Sequence, residues 1–215
     1  MALVKYNDRS LRNLTTVPAA VTGNNPGALV HIKTLTASSS ATLSFVDGTD
    51  SVVLDNTYPI YKFEFIDIHP SEVAQFAFQG NAAGGSGFNE TITSTVFQSF
   101  HREDNSSTAL GYRTGDDQAQ ATGFQIITNN VGDDADQSCA GTLHLFNPSS
   151  TTFVKHFLST IQVYRSTGSS AEASSVQHFS AGYFNTTSAI DEIQFKMSGG
   201  DIDAGKIKLY GIKDS

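Results

Sequence analysis

Apolar and polar residues alternate along most of this chain, most clearly near its end. Ile193, Phe195 and Met197 take one parity, and Gln194, Lys196 and Ser198 take the other. A few residues on, Ile207 and Leu209 alternate with Lys206, Lys208 and Tyr210. A period of two marks a half-buried antiparallel strand. Ser198-Gly199-Gly200 and Ala204-Gly205 supply turn residues that tolerate positive φ. Residues 192–212 therefore read as a closing hairpin, and the chain is expected to finish inside a sheet.

The same reading runs back along the sequence. Residues 28–36 and 41–46 form an expected strand pair around Ala37-Ser38-Ser39-Ser40. In Tyr58–Pro70 the apolar phase slips from Tyr61, Phe63 and Phe65 to Ile66 and Ile68. Such a slip signals a β-bulge or a strand buried on both faces. Residues 75–79 and 88–100 read as a pair across a glycine-rich turn at 80–87. Thr142–Phe146 and Thr152–Leu158 read as a hairpin around Asn147-Pro148-Ser149-Ser150, and 177–184 as a single strand. Each half thus reads as hairpin, single strand, hairpin, although serine-rich turns recur in any sheet protein and explain the echo without duplication.

Between 101 and 139 the pattern changes. Asp116 and Asp117 are placed to cap a helix running to about 130, with Phe124, Ile127 and Val131 on one stripe and Gly132 at its end. Residues 1–27 mix short apolar residues with charge before Thr22-Gly23-Asn24-Asn25-Pro26-Gly27 breaks the pattern. The expected architecture is all-β: an antiparallel β-sandwich of jelly-roll type over 28–215, with a polar insert at 101–139 bearing one short helix, and an N-terminal arm over 1–27.

Composition narrows the chemistry. The 215 residues include 15 Phe and 7 Tyr but no Trp, and Phe is a natural filler between two sheets. Charged residues make up only 16% and the net charge is −8. A duplex nucleic-acid binder carries a basic face, and the 13 basic residues here are scattered, so no nucleic-acid partner is expected. The local exception is the arm, where Lys5, Tyr6, Arg9 and Arg12 form a short basic segment suited to docking. No run of 18 apolar residues exists, so no membrane partner is expected. The segment MALVKYNDRSLRN lacks an apolar signal-peptide core, so synthesis in a cytoplasm without export is expected.

Candidate catalytic and metal residues are few. The single cysteine, Cys139, excludes an intramolecular disulfide and a cysteine zinc site. Its acidic neighbours disfavour a thiolate. Asp47/Asp50, Asp133/Asp134/Asp136 and Asp201/Asp203 sit in expected turns, where Asp bonds its own backbone, and none fits the twelve-residue calcium loop. The six histidines, His31, His69, His101, His144, His156 and His178, lack metal spacing, although His144 and His156 are placed as cross-strand neighbours in one hairpin. No GxSxG elbow or phosphate loop is present. The reading is a non-enzyme with no cofactor, no metal and no catalytic residue.

Three stretches carry a family resemblance: YKFEFIDIHPS at 61–71, GTLHLFNPSSTTFVKHF at 141–157, and SAIDEIQFKMSGGDIDAGKIKLYGI at 188–212. Together they resemble a family of structural proteins in the virions of tailed phages, especially phages of marine bacteria. The resemblance implies a sandwich exposed on the particle surface, either a capsid decoration or cement protein or a tail-associated adaptor or fibre module. Its expected partners are the major capsid protein or tail components, in a homotrimer made in the host cytoplasm, with a host surface glycan as the alternative ligand.

Overall fold

A computed structural model of the chain describes residues 28–165 and 173–214. The described residues form thirteen strands and no helix. In chain order these are β1 (Leu29–Thr36), β2 (Leu43–Val46), β3 (Ile60–Pro70), β4 (Phe76–Ala82), β5 (Ile92–Arg102), β6 (Thr108–Tyr112), β7 (Ala119–Ala121), β8 (Gln125–Ile126), β9 (Cys139–Phe146), β10 (Lys155–Arg165), β11 (Ser174–Phe184), β12 (Ile190–Met197) and β13 (Ile202–Ile212).

They build two antiparallel sheets. The larger runs β1-β13-β3-β9-β10-β11-β5-β6, with β7 also on β5; the smaller runs β2-β12-β4-β8. The frame is nested: β1 pairs with β13, β2 with β12, β3 with β9 and β4 with β8. A two-stranded ribbon wrapped around a barrel gives this order, which is the jelly-roll arrangement expected from the sequence. Two insertions interrupt the ribbon. β5–β7 enter between β4 and β8, and β10–β11 enter between β9 and β12. Both insertions extend the large sheet into a wing.

The core explains the phenylalanine content. Phe195 of β12 lies 5.2 Å from Phe63, 5.3 Å from Phe65 and 5.7 Å from Phe76, and reaches Phe45 and Phe78 at 6.2 Å. All six rings are essentially inaccessible to solvent. Beneath the wing, Phe157 and Phe184 extend the same core to Phe78. Apolar burial on this scale is the dominant favourable term for the fold.

The phase slip in β3 is a bulge. Its register with β9 shifts between Phe65 and Ile68, and Asp67 has φ of 51°. β13 shifts opposite it, between Ala204 and Lys206, at Gly205 with φ of 116°. A Cβ on Gly205 would stand 2.5 Å from the Asp67 carbonyl oxygen, so both the dihedral and the space call for glycine.

Three expected pairings are corrected. Residues 28–36 and 41–46, residues 75–79 and 88–100, and the two strands of 192–212 do not pair with each other. In each case the chain crosses from one sheet to the other: β1 to β2, β4 to β5, β12 to β13. A strand that turns a corner buries the same parity as one that folds back, so alternation alone does not separate the two. The β9–β10 hairpin forms as expected, and the single strand at 177–184 is β11, held between β10 and β5.

The expected helix at 116–130 is also corrected. Its backbone bonds to β4 instead of to itself. Ile126 and Gln125 pair with Ala77 and Phe78, the Ile127 N–H donates to the Phe76 carbonyl, and the Val131 N–H donates to that of Ala74. Ile127 and Val131 are buried by this extended run, while Phe124 stays half-exposed under the Lys196 ammonium, 4.4 Å from its ring centre. The β-branched residues 126–128 and Gly123 suit extended backbone better than helix.

Candidate functional site

Register places one distinctive surface on the molecule: the outer face of the wing. Strands β10, β11 and β5 alternate cleanly, so each sends every second side chain outward. The pairing Thr160–Phe179–Phe97–Tyr112 forms one row across four strands. Leu158–Ala181–Thr95 forms the next, and Gln162–Gln177–Ser99–Leu110 flanks the first on its other side. Exposure is high for large apolar groups: Leu110 73%, Tyr112 53%, Leu158 51% and Phe97 45%. Phe97 and Phe179 stack at 4.8 Å with an interplanar angle of 14°. No Asp, Glu, Lys or Arg points outward from β10, β11 or β5. At the rim, Asp117 accepts a 2.6 Å hydrogen bond from the Tyr112 hydroxyl, and Glu103 one of 3.4 Å from that of Tyr164. Exposed apolar groups gathered in one contiguous patch mark an interaction site.

Two grooves run beside Leu158. One, of about 390 Å³, is walled by Phe146, His156 and Tyr183, with Thr95, Ala181 and Gly182 along it. The other, of about 260 Å³, lies between Leu158, Phe97 and Phe179. The remaining outer face of the large sheet is different in kind. There Lys62 pairs with Glu64 at 2.7 Å, and Lys206, Lys208 and Tyr210 follow on β13.

The inner face of the wing holds a buried polar cluster. Segment 113–131 lies under it, with the Ser94 N–H donating to the Gln118 carbonyl and Asn129 Nδ2 donating to Gln98 Oε1 at 2.8 Å. Asp116, almost fully buried, accepts from Arg113 Nε and Gln75 Nε2, each at 3.1 Å. His178, Ser159 and Ser180 face the same interior, and neither His178 ring nitrogen nor either serine hydroxyl has a partner among the described residues. Burial lowers the His178 pKa to about 4, with Asp116 opposing that shift and Arg113 adding to it. A serine nucleophile needs a base within hydrogen-bond reach, and no serine makes that contact with His178.

The candidate residues from the sequence fall as follows. The arm residues Lys5, Tyr6, Arg9 and Arg12 lie outside the described residues. Cys139 is buried, and desolvation pushes its thiol pKa up. It is thus a poor nucleophile because of burial more than because of acidic neighbours. His144 sits opposite Leu158 and His156 opposite Tyr183, so the two histidines share a face but not a register position. The aspartates do turn work: Asp47 accepts from the Leu54 N–H, Asp203 from the Ser39 hydroxyl, and Asp134 from Gln137 Nε2. No group of three or more His, Cys, Asp or Glu among the described residues is placed to hold a metal ion.

Sequence reasoning missed both the wing face and the buried cluster. Leu158, Phe97 and Phe179 stand on three separate strands, and only the register joins them. Compared with family models, curated proteins and solved structures, the chain matches none, so no phage virion family is identified by comparison.

Proposed function

We propose that this chain is a non-enzymatic structural protein of a tailed-phage virion, displayed on the particle surface as a capsid decoration or cement subunit. The carrying observation is the wing's outer face, which offers an uncharged apolar surface for assembly. The virion setting rests on the sequence resemblance. Its three stretches fall on β3, β9–β10 and β12–β13, four of which (β13-β3-β9-β10) are neighbours at the centre of the large sheet. The resembling residues are thus the frame that presents the wing. Lys5, Tyr6, Arg9 and Arg12 of the arm would dock the acidic body on the capsid lattice through complementary charge.

Labelling the protein on purified particles and imaging them, with copy number from gel densitometry, tests this reading. Many copies spread over the head support decoration. A few copies confined to the tail move the chain to an adaptor or fibre role. Absence from particles refutes both. Particle binding at full occupancy by a chain lacking residues 1–27 refutes the arm's part alone.

A further inference from the structure

We infer that the outer face of the wing is where a second copy of this chain packs. Three observations lead to this occupant. The first is area. Strands β10 and β11 have 11 residues each, as does β5, and β9 and β6 add 8 and 5. At ~4.8 Å between strands and ~3.3 Å per residue they present about 700 Å². Two such faces together bury roughly 1,400 Å², within the range of stable protein interfaces.

The second is charge. The chain carries −8 overall, which opposes the approach of another copy. The wing face is the region where that opposition is weakest, because β10, β11 and β5 send no ionised carboxylate or cation outward. Two copies meeting on those three strands bury no charged side chain from them, and Asp117, bonded to Tyr112, lies at the rim.

The third is shape. Leu158 stands between the two apolar grooves. A two-fold axis near Ala181 places Leu158 of each copy against a groove of the other, the self-complementary arrangement that an isologous contact requires. A glycan fits this face less well. Phe97 and Phe179 cover each other's ring faces at 4.8 Å, and Leu110 and Leu158 offer a sugar no hydrogen bond.

The inference stands independently of the virion reading, because it concerns the isolated chain in solution. The test is sedimentation velocity on the full chain across the micromolar range, for wild type, Leu158→Glu, Phe97→Glu and the off-face control Phe153→Ser. Circular dichroism and thermal melts check that each variant folds. The expected result is an oligomer for wild type and the control, and a folded monomer for the two wing variants. A monomeric wild type overturns the inference, as does an oligomer unchanged by both substitutions. Wing variants that leave a monomeric chain unaltered yet abolish attachment to particles would give the face to another virion protein instead.

Discussion

Replacing Phe195 by alanine tests whether the two sheets are held by one aromatic cluster. The ring is inaccessible to solvent and sits within 6.2 Å of five other phenylalanines, from β2, β3 and β4. Those partners lie on both sheets, so no single strand can move to fill the space. Buried Phe→Ala changes cost about 3–5 kcal/mol, and more where collapse is hindered. Lost edge-to-face and stacked pairs add about 0.5–1.5 kcal/mol each when isolated, though they overlap with the burial term here. The expected loss is thus about 5 kcal/mol. For a chain of this length, that lowers the melting temperature by roughly 10–20 °C. Urea unfolding followed by circular dichroism, extrapolated to water, gives the value directly. Phe153→Ala is the matched control: its ring is exposed, and a change below about 0.5 kcal/mol is expected. A loss under about 2 kcal/mol for Phe195→Ala would refute the reasoning, since the cluster would then be repacking freely.

Three more outcomes follow from the geometry. Lys155 is fully buried, with its ammonium donating to the carbonyls of Phe153 and Thr186 at 3.0 and 3.2 Å; Lys155→Met leaves both carbonyls without that donor and is expected to cost about 2–3 kcal/mol in urea unfolding. A Cβ at Gly182 would stand 2.5 Å from the Thr93 carbonyl oxygen and 2.7 Å from Phe157 Cζ, so Gly182→Ala is expected to destabilise by about 1–3 kcal/mol, read as a fall in melting temperature. His178 keeps its proton off down to about pH 4 when folded, against its ordinary 6.5. The unfolded chain therefore takes up that proton first, so stability is full above about pH 6.5 and falls as the pH drops towards 4, by about 3 kcal/mol. Subtracting the pH profile of His178→Gln from that of wild type should isolate this slope, and parallel profiles would refute it.

Much of the architecture was written locally. Alternation gave the buried parity of β3, β12 and β13 correctly, because which face a residue takes depends only on its immediate neighbours along a strand. The bulge at Asp67 was legible for the same reason: the extra residue turns Ile68 into the core, although Ile66, also expected in that phase, keeps the outward parity of Lys62 and Glu64 and stays half-buried. The β9–β10 hairpin was readable from a short turn between two strands in register.

What the tertiary structure alone decided was partnership. β12 and β13 look like a hairpin in sequence, but Phe195 buries against the inner face of β3 while Ile207 and Leu209 line that same large sheet beside it. Folding back or crossing over leaves the same local pattern, and only the distant strands that complete each sheet choose between them. Likewise Ile127 and Val131 satisfied a helical stripe until β4 supplied backbone partners for an extended run. The wing's outer face is the fullest case. Thr160, Phe179, Phe97 and Tyr112 lie far apart along the chain and become one surface because three registers align them. On β3 as far as Phe65, and on β12 and β13, the sequence by itself determined which side chains turn inward and which outward. The fold determined which outward side chains meet, because strand pairing is set by contacts between residues far apart along the chain.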